Sequence, residues 1–538
     1  MLHCQYLQHI KTHFLASSNN PQFWRCLSAH IREFIIMTHL NLDPAIATLD
    51  SFYSPLPRVS PRDPVSMLRS LILMASLKNA GITKWVEETR TQSLFAVFGG
   101  FKPDDTTGIG TYYDYMKRLI NGRYQKLCEH RIRNSDFLAR PHLRNLQREK
   151  NAAKEKDEIY RSQSEKVAAD LLASVQAPRP DDLSKTLEDL IIRLGIMPSI
   201  EQELLTDLDA LISLGDGSIL TSAASPRGKP TCSCRSQGIY RCEHDRYYTS
   251  PTAKWCFDAH RDCFLFGDRY YHLEVHQNGH DLPLLTIMPG GDESDYTLSL
   301  KTFDRFLKAA RENGLDMRIG VFCGDGHHDS YAHYHYFEEK GVIPVIPLSE
   351  NSKKAFPHLL DDRGVRLDTD GAPLCPGGVR MRHHQYVDDR KVHVYACPAK
   401  RNTHRNGESL YVTRLDECPK GEDCAPESSL GPLVYIKSET DPRLYPPIPR
   451  DSKRFKEIMN LRSSTERCNY LNDTYNLERS CRNASYGLIR LTLANIAEHA
   501  VVRYIETLKE SSTQKLLDQT LKELFGCKNA GKMRKCCR

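Results

Sequence analysis

A chain of 538 residues with 40% hydrophobic and 26% charged residues has the expected composition of a soluble globular protein, with room for roughly two to four domains. No apolar run approaches the ~20 residues that cross a bilayer, and the opening MLHCQYLQHIKTHFLASS lacks the apolar centre of a secretory signal, so a membrane protein is excluded and a cytoplasmic location is expected. The net charge of +6 is modest but uneven: residues 117–150 carry ten Lys/Arg against three acids, and the tail CKNAGKMRKCCR carries five bases and no acid, a pattern that suits a polyanion or a solvated helix face.

In chain order, residues 1–140 read as a helical N-terminal domain, with PVSMLRSLILMASLKNAG and GIGTYYDYMKRLI at helical spacing and Pro61, Pro64, Gly81, Gly99 and Gly100 as punctuation. Residues 141–185 read as a charged helical linker. After 186, and clearly after 208, strands take over. DALISLGDG is followed by two extended segments, KWCFDAHRDCFLFGDRYYHLEVHQN and LPLLTIMPGG. SLKTFDRFLKAARENG is an amphipathic helix ending in glycine, then come the strands DMRIGVFCGDG and VIPVIPL. An α/β layer over 186–349 is predicted. Residues 350–450 turn irregular, β-like and rich in Pro, Gly and Cys, and 451–538 return to helix.

The chemistry concentrates in two acids with one grammar. Asp216 and Asp325 each follow an apolar strand and sit between glycines. An isolated buried carboxylate is costly, whereas two on neighbouring strand ends could hold a divalent metal such as Mg²⁺ or Mn²⁺. Each acid alone reads as a turn residue; the repetition favours a site. Glu466, in NLRSSTERCNYL, lies on a predicted helix with Arg462 one turn earlier and Arg467 beside it. Its bland reading is a surface helix acid paired with arginine.

In order and context these three acids resemble the DDE transposases of bacterial insertion sequences, most nearly the insertion-sequence-four type. The stretches NGHDLPLLTIMPGGDESDYTLSLKTF and GDGHHDSYAHYHYFEEKGVIPVIPL resemble the family's segments between the aspartates and around the second one, and SPRDPVSMLRSLILMASL with TYYDYMKRL resembles its helical N-terminal domain. The resemblance implies an RNase H-like catalytic core, a mixed sheet flanked by helices, with a β-rich insertion before the glutamate helix. It implies Asp216, Asp325 and Glu466 as catalytic ligands of two Mg²⁺ or Mn²⁺ ions, and Arg462 and Arg467 as DNA-phosphate contacts. It implies cleavage and strand transfer by in-line phosphoryl transfer, with transposon-end and target DNA bound by a homodimer or larger synaptic complex in a bacterial, nucleoid-associated setting. The family's glutamate signature runs Tyr, two residues, Arg, three residues, Glu, six residues, Lys. Arg462 and Glu466 keep their spacing, but Met459 and Asp473 stand at the Tyr and Lys positions, so those two DNA contacts are not carried over.

Other signals compete. Eighteen cysteines are unevenly placed, unlike a secreted disulfide framework. Cys232, Cys234, Cys242 and His244 offer the ligand types of a structural zinc, and Cys375, Cys397, Cys418 and Cys424 form a second, scattered group; free buried cysteines are the alternative for both. The histidine-dense GDGHHDSYAHYHYF lacks the spacing of a metalloprotease and reads as an exposed turn and helix. A zinc-containing DNA-binding regulator without catalysis, and a structure-specific nuclease on the same fold, are the rival functions.

Overall fold

The computed structural model describes all residues except 18, 54–60, 80, 122–129, 133–146, 154–161, 181, 241, 243, 259–260, 350–364, 369–370, 406–407, 414–417, 419, 421–423, 425–429, 476, 478–479 and 537–538. Most of the basic stretch 117–150 and the last two residues of the basic tail lie outside the described residues.

Eight helices open the chain: α1 (His3–Ala16), α2 (Pro21–Ala29), α3 (Ile31–His39), α4 (Ile46–Asp50), α5 (Pro64–Ser76), α6 (Ile82–Thr91), α7 (Ser93–Phe98) and α8 (Ile109–Asn121). The start of α5 is written in its sequence. Pro64 takes the first helical position, and the Asp63 carboxylate accepts the Ser66 N–H at 2.7 Å. Its run from Val65 to Met74 is buried on every side. The one charge inside it, Arg69, donates to the Leu40 and Met37 carbonyls at the end of α3, at 2.8 and 3.2 Å. A cation there meets the negative end of a helix. A short strand β1 (His130–Ile132) follows, then α9 (Gln163–Ala173), capped by a reciprocal Ser162–Glu165 box, α10 (Leu183–Ile191) and α11 (Met197–Glu201).

The strands that carry the site are β2 (Leu211–Thr221), β5 (Lys254–Asp258), β6 (Cys263–Gln277), β7 (His280–Gly290), β8 (Ile319–Cys323) and β9 (Ile343–Val345); a small hairpin of β3 (Lys229–Pro230) and β4 (Arg246–Tyr248) interrupts them. They form one mixed sheet in the order β5-β6-β2-β8-β9, with β7 also pairing β6. β7, β6 and β2 run antiparallel to their neighbours, whereas β2, β8 and β9 are parallel. The α/β layer predicted for 186–349 is therefore present, with α12 (Asp295–Glu312) and α13 (Tyr331–Glu339) among its helices. Two details differ from expectation. The region read as two extended segments holds three strands, because the first of them turns between Asp258 and Cys263, with Asp262 at positive φ, and pairs with itself as β5 and β6. Asp216 is not at a strand end: β2 continues to Thr221, since β6 goes on pairing with it through Thr221↔Gly267 and glycine does not stop an antiparallel ladder.

Residues 365–450 supply β10 (Arg382–Val387), β11 (Val392–Ala396) and β14 (Val434–Lys437) in one three-stranded sheet, and the hairpin β12 (Lys400–Arg405) with β13 (Glu408–Thr413). The segment is β-rich, as its sequence suggested. Its return to the sheet is fastened by buried charge: Arg443 Nε and Nη2 donate to both oxygens of Asp329 at 2.7 and 2.8 Å. Arg450 adds hydrogen bonds to the Ile346, Leu444 and Arg443 carbonyls and the Tyr334 hydroxyl.

The C-terminal helices are α14 (Lys453–Leu461), α15 (Ser463–Thr474), α16 (Ala484–Glu510) and α17 (Thr513–Cys536). α16 lies between α5 and β7. Through it the N-terminal helices and the sheet share one continuous apolar core, from Phe14 and Leu68 to Ile489, Leu273 and Phe303. A smaller cluster, Leu214, Val321, Cys323, Val345, Ile448, Phe455 and Ile458, seats α14 on the parallel strands.

Candidate functional site

Strand register brings the two aspartates together. β2 and β8 are parallel, and their last pair is Leu214↔Cys323. Asp216 lies two residues further along β2 and Asp325 two residues past the end of β8, so both acids sit just beyond the paired part of these two strands, at the same end of it. The electrostatics agree. Burial and the negative charge of Asp325 push the Asp216 carboxyl up, against an opposing N–H bond from Gly217 at 2.9 Å.

Asp325 behaves in the opposite way. Burial alone would raise it, but hydrogen bonds and attraction from His328 and His327 outweigh that and hold it well below the usual carboxylate range. Its Oδ1 lies 2.7 Å from His328 Nδ1 and accepts the His327 N–H at 2.9 Å; its Oδ2 lies 3.0 Å from His327 Nδ1. The far nitrogen of His328 is 2.8 Å from the Tyr271 hydroxyl. Tyr271, wholly buried on β6, is pushed well above its ordinary range by burial and by the charges of Asp216, Asp295 and Asp325. Tyr271, His328 and Asp325 thus form a hydrogen-bonded line from the core to the surface. The histidine-dense segment is exposed only in part: His328 and His333 are buried, because the short helical turn at 326–328 and α13 fold back onto the sheet. His327, 71% exposed, and His335 are open, as expected of an exposed turn and helix.

The glycines around Asp216 have a structural reason. A Cβ on Gly215 would collide with the Tyr271 hydroxyl and ring, and one on Gly217 would overlap the Asp295 carboxylate. Asp295, the first residue of α12, is held 3.3 Å from Arg269 Nη1. It brings a third acid near the pair, which the sequence did not single out.

The helix α15 crosses above β2 and β7. Ser464 Oγ donates to Asp281 Oδ1 at 2.6 Å, and Arg467 Nε donates to Asp281 Oδ2 at 2.6 Å. Arg467 is therefore already engaged with a β7 acid. Arg462, at the junction of α14 and α15, extends to within 3.5 Å of Asp325 Oδ2. Glu466 is exposed four residues further, on the side of the helix that Arg462 shares. Met459 packs against the Cys323 thiol, 3.7 Å away, at the end of β8.

Beneath α15 lies Glu274, paired across the ladder with Leu214 and 1% exposed. Burial pushes its carboxyl up to about 8, with the Cys468 and Ser464 side chains opposing weakly and Asp281 and Asp216 adding to the rise. Among the described residues neither of its oxygens has a hydrogen-bond partner, the Ser464 hydroxyl turning to Asp281 instead. No signal in the sequence separated Glu274 from any other strand acid; its position follows only from the β2–β6 register and the helix laid over it.

The Cys/His group fares differently from the acids as a ligand set. Donor atoms of Cys232, Cys234, Cys242 and His244 all lie within 4.8 Å of one another, a set that could bind a metal such as zinc. Among the described residues no other His, Cys, Asp or Glu group is gathered so tightly, the three sequence-selected acids included. In the second cysteine group burial raises the Cys424 thiol, and Cys418, Cys375 and Cys397 add to the rise.

No helix among the described residues is long and apolar enough to cross a membrane. No family model matches the chain, and no curated protein is significantly similar to it.

Proposed function

We propose that the chain is a DDE transposase, a metal-dependent polynucleotidyl transferase that cuts and joins DNA strands at the ends of an insertion sequence. The observation that supports this reading is the register of β2 and β8, whose last pair, Leu214↔Cys323, lies two residues before Asp216 on one side and two before Asp325 on the other. The strand order β7-β6-β2-β8-β9, with the first three antiparallel and the last three parallel, is the arrangement expected of an RNase H-like core.

The donor set suits a hard divalent cation: two carboxylates, Asp216 raised by burial and by Asp325, and Asp325 itself already disposed to stay ionised. Bound there, Mg²⁺ or Mn²⁺ would supply charge stabilisation to the attacking and leaving oxygens of an in-line displacement. The protein's own groups have separate tasks. Asp216 and Asp325 would hold the cations, and Glu466, on the helix that starts just after Arg462, would be the third ligand by the resemblance. The Arg462 guanidinium, beside Asp325, is placed to meet an incoming phosphate. His327, whose imidazole is raised by its hydrogen bond to Asp325, adds a second cationic donor at the exposed edge. His328 and Tyr271 orient Asp325 from behind. Because transposition joins two DNA ends, the working form is a dimer or larger synaptic complex.

The test is strand cleavage of duplexes carrying the terminal repeats that flank the gene, with Mg²⁺ present. Nicking at the repeat end and joining of the freed 3′-hydroxyl to a second duplex support the transposase. Cleavage without joining would point to a structure-specific nuclease. Binding without any cleavage would leave a DNA-binding regulator, the function the Cys/His group alone would favour.

A further inference from the structure

After β2 the chain leaves the sheet and makes a hairpin before it returns at β5. β3 and β4 pair antiparallel, Lys229↔Tyr247 and Pro230↔Arg246, and β4 pairs on its other side with the three-residue strand β1. None of the described residues between 225 and 247 is buried. The nearest apolar cluster is three residues, Tyr248, Ala253 and Phe266. A hairpin this poor in core needs another source of order.

That source is at its tip. Cys232 Sγ lies 3.6 Å from Cys242 Sγ, and Cys234 Sγ lies 3.3 Å from His244 Nδ1. None of the three thiols is in a disulfide. Tetrahedral zinc, with Zn–S near 2.3 Å and Zn–N near 2.0–2.1 Å, separates two sulfurs by about 3.8 Å and a sulfur from a nitrogen by about 3.6 Å. Both observed separations come within about 0.3 Å of those values. The backbone supports the same geometry: a helical turn over Cys234–Gln237 closes with Ile239 N–H bonded to the Cys234 carbonyl at 2.9 Å, and Gly238 at φ +77° turns the chain back toward Cys242. Left and right arms of the hairpin thus each bring two donors.

We propose that Cys232, Cys234, Cys242 and His244 bind one Zn²⁺ through three thiolates and His244 Nδ1. The site is closed by four protein ligands, so it is structural, and it fixes the 225–247 hairpin onto the end of β2. Binding releases the thiol protons to solvent, and folding of the hairpin is coupled to it. The inference is independent of the catalytic reading, since it rests on a different set of residues.

The experiment is metal analysis of the full-length protein together with Co²⁺ substitution. Expected are tightly held zinc, one equivalent of which is lost in Cys242→Ser, and for that equivalent the strong visible bands of tetrahedral Co²⁺ with thiolate charge transfer. The exposed His244→Ala should change the cobalt bands and weaken retention without disturbing a buried contact. Chelation should open residues 225–247 to limited proteolysis while the helical and sheet core stays intact. Absence of retained zinc, thiolate-free octahedral cobalt spectra, or zinc and spectra unchanged by His244→Ala but abolished by Cys418→Ser would overturn the proposal. The cobalt titration of the wild type decides the case even if Cys242→Ser does not fold.

Discussion

His328 Nδ1 lies 2.7 Å from Asp325 Oδ1, and that contact decides how the second acid behaves. The imidazole is buried, its other nitrogen tied to Tyr271, so it cannot swing away without leaving two polar groups short of partners. Replacing it with phenylalanine removes the attraction that keeps Asp325 ionised and strands the Tyr271 hydroxyl. The expected cost is about 2–3 kcal/mol of stability, read by denaturant unfolding. The acid limb of any cleavage pH profile should shift upward in the same variant; an unmoved limb would show that His328 does not orient Asp325.

Asp325 also sets an acid stability window. Its carboxyl is depressed in the folded state, so its contribution is present above its unfolded value, near pH 4, and is lost as pH falls below that. Asp325→Asn should therefore flatten the loss of stability below about pH 4, while abolishing cleavage. For both Asp216→Asn and Asp325→Asn the expected fall in strand cleavage is at least about 10³-fold, the scale on which preorganised charge in an active site is worth. Unfolding of Asp216→Asn should be unchanged or slightly harder, because it removes one of two like charges.

Glu274 gives the opposite sign. Its carboxyl is raised to about 8, so the folded state holds a proton that the unfolded chain has lost above pH 4.5. Its favourable contribution is complete below about pH 4.5 and is lost as pH rises through about 8. Glu274→Gln keeps the shape without the titration. At pH 8–9 it should unfold less easily than wild type by about 2–4 kcal/mol; equal pH slopes in the two proteins, measured by urea melts, would sink this assignment.

The two arginines of the glutamate helix should separate cleanly. Arg462 stands beside Asp325, whereas Arg467 is bound to Asp281 on β7. Arg462→Ala is expected to lower cleavage about 10²-fold with little effect on unfolding. Arg467→Ala should leave cleavage within a few-fold and cost no more than about 1 kcal/mol, as half of that pair is solvent-exposed.

Gly215→Ala tests the packing behind the acids. Its Cβ would meet the Tyr271 ring and hydroxyl, which burial holds in place. Overpacking of this kind costs about 1–3 kcal/mol, and calorimetry should show it together with a weakened Tyr271–His328 contact in the imidazole resonances.

Much of the local structure was legible in the chain. Pro64 after Asp63 announces the start of α5, glycine after a run of helical periodicity marks the end of α12, and the repeated strand-Gly-Asp-Gly pattern selected Asp216 and Asp325. What stayed hidden depends on register and layering. A histidine-rich turn looks hydrophilic in one dimension, and only the packing of α13 on the sheet buries His328. Glu274 looks like an outward strand acid until α15 covers it. Asp295 is one of several acids in DESD until β2 passes its helix.

The sequence by itself determined the main helical and extended regions, though not every strand boundary, and which acids are set among small residues, because periodicity, capping and steric clearance act over a few residues. It also placed four zinc-type donors within a short span of chain. Only the tertiary structure decided that the two aspartates lie at the same end of the β2–β8 pairing, that their neighbours are His328, Tyr271 and Arg462, and that Glu274 is sealed beneath a helix. Those facts follow from the parallel pairing of β2 with β8 and the crossing of α15 over the sheet, contacts between residues more than a hundred positions apart that local preferences do not encode.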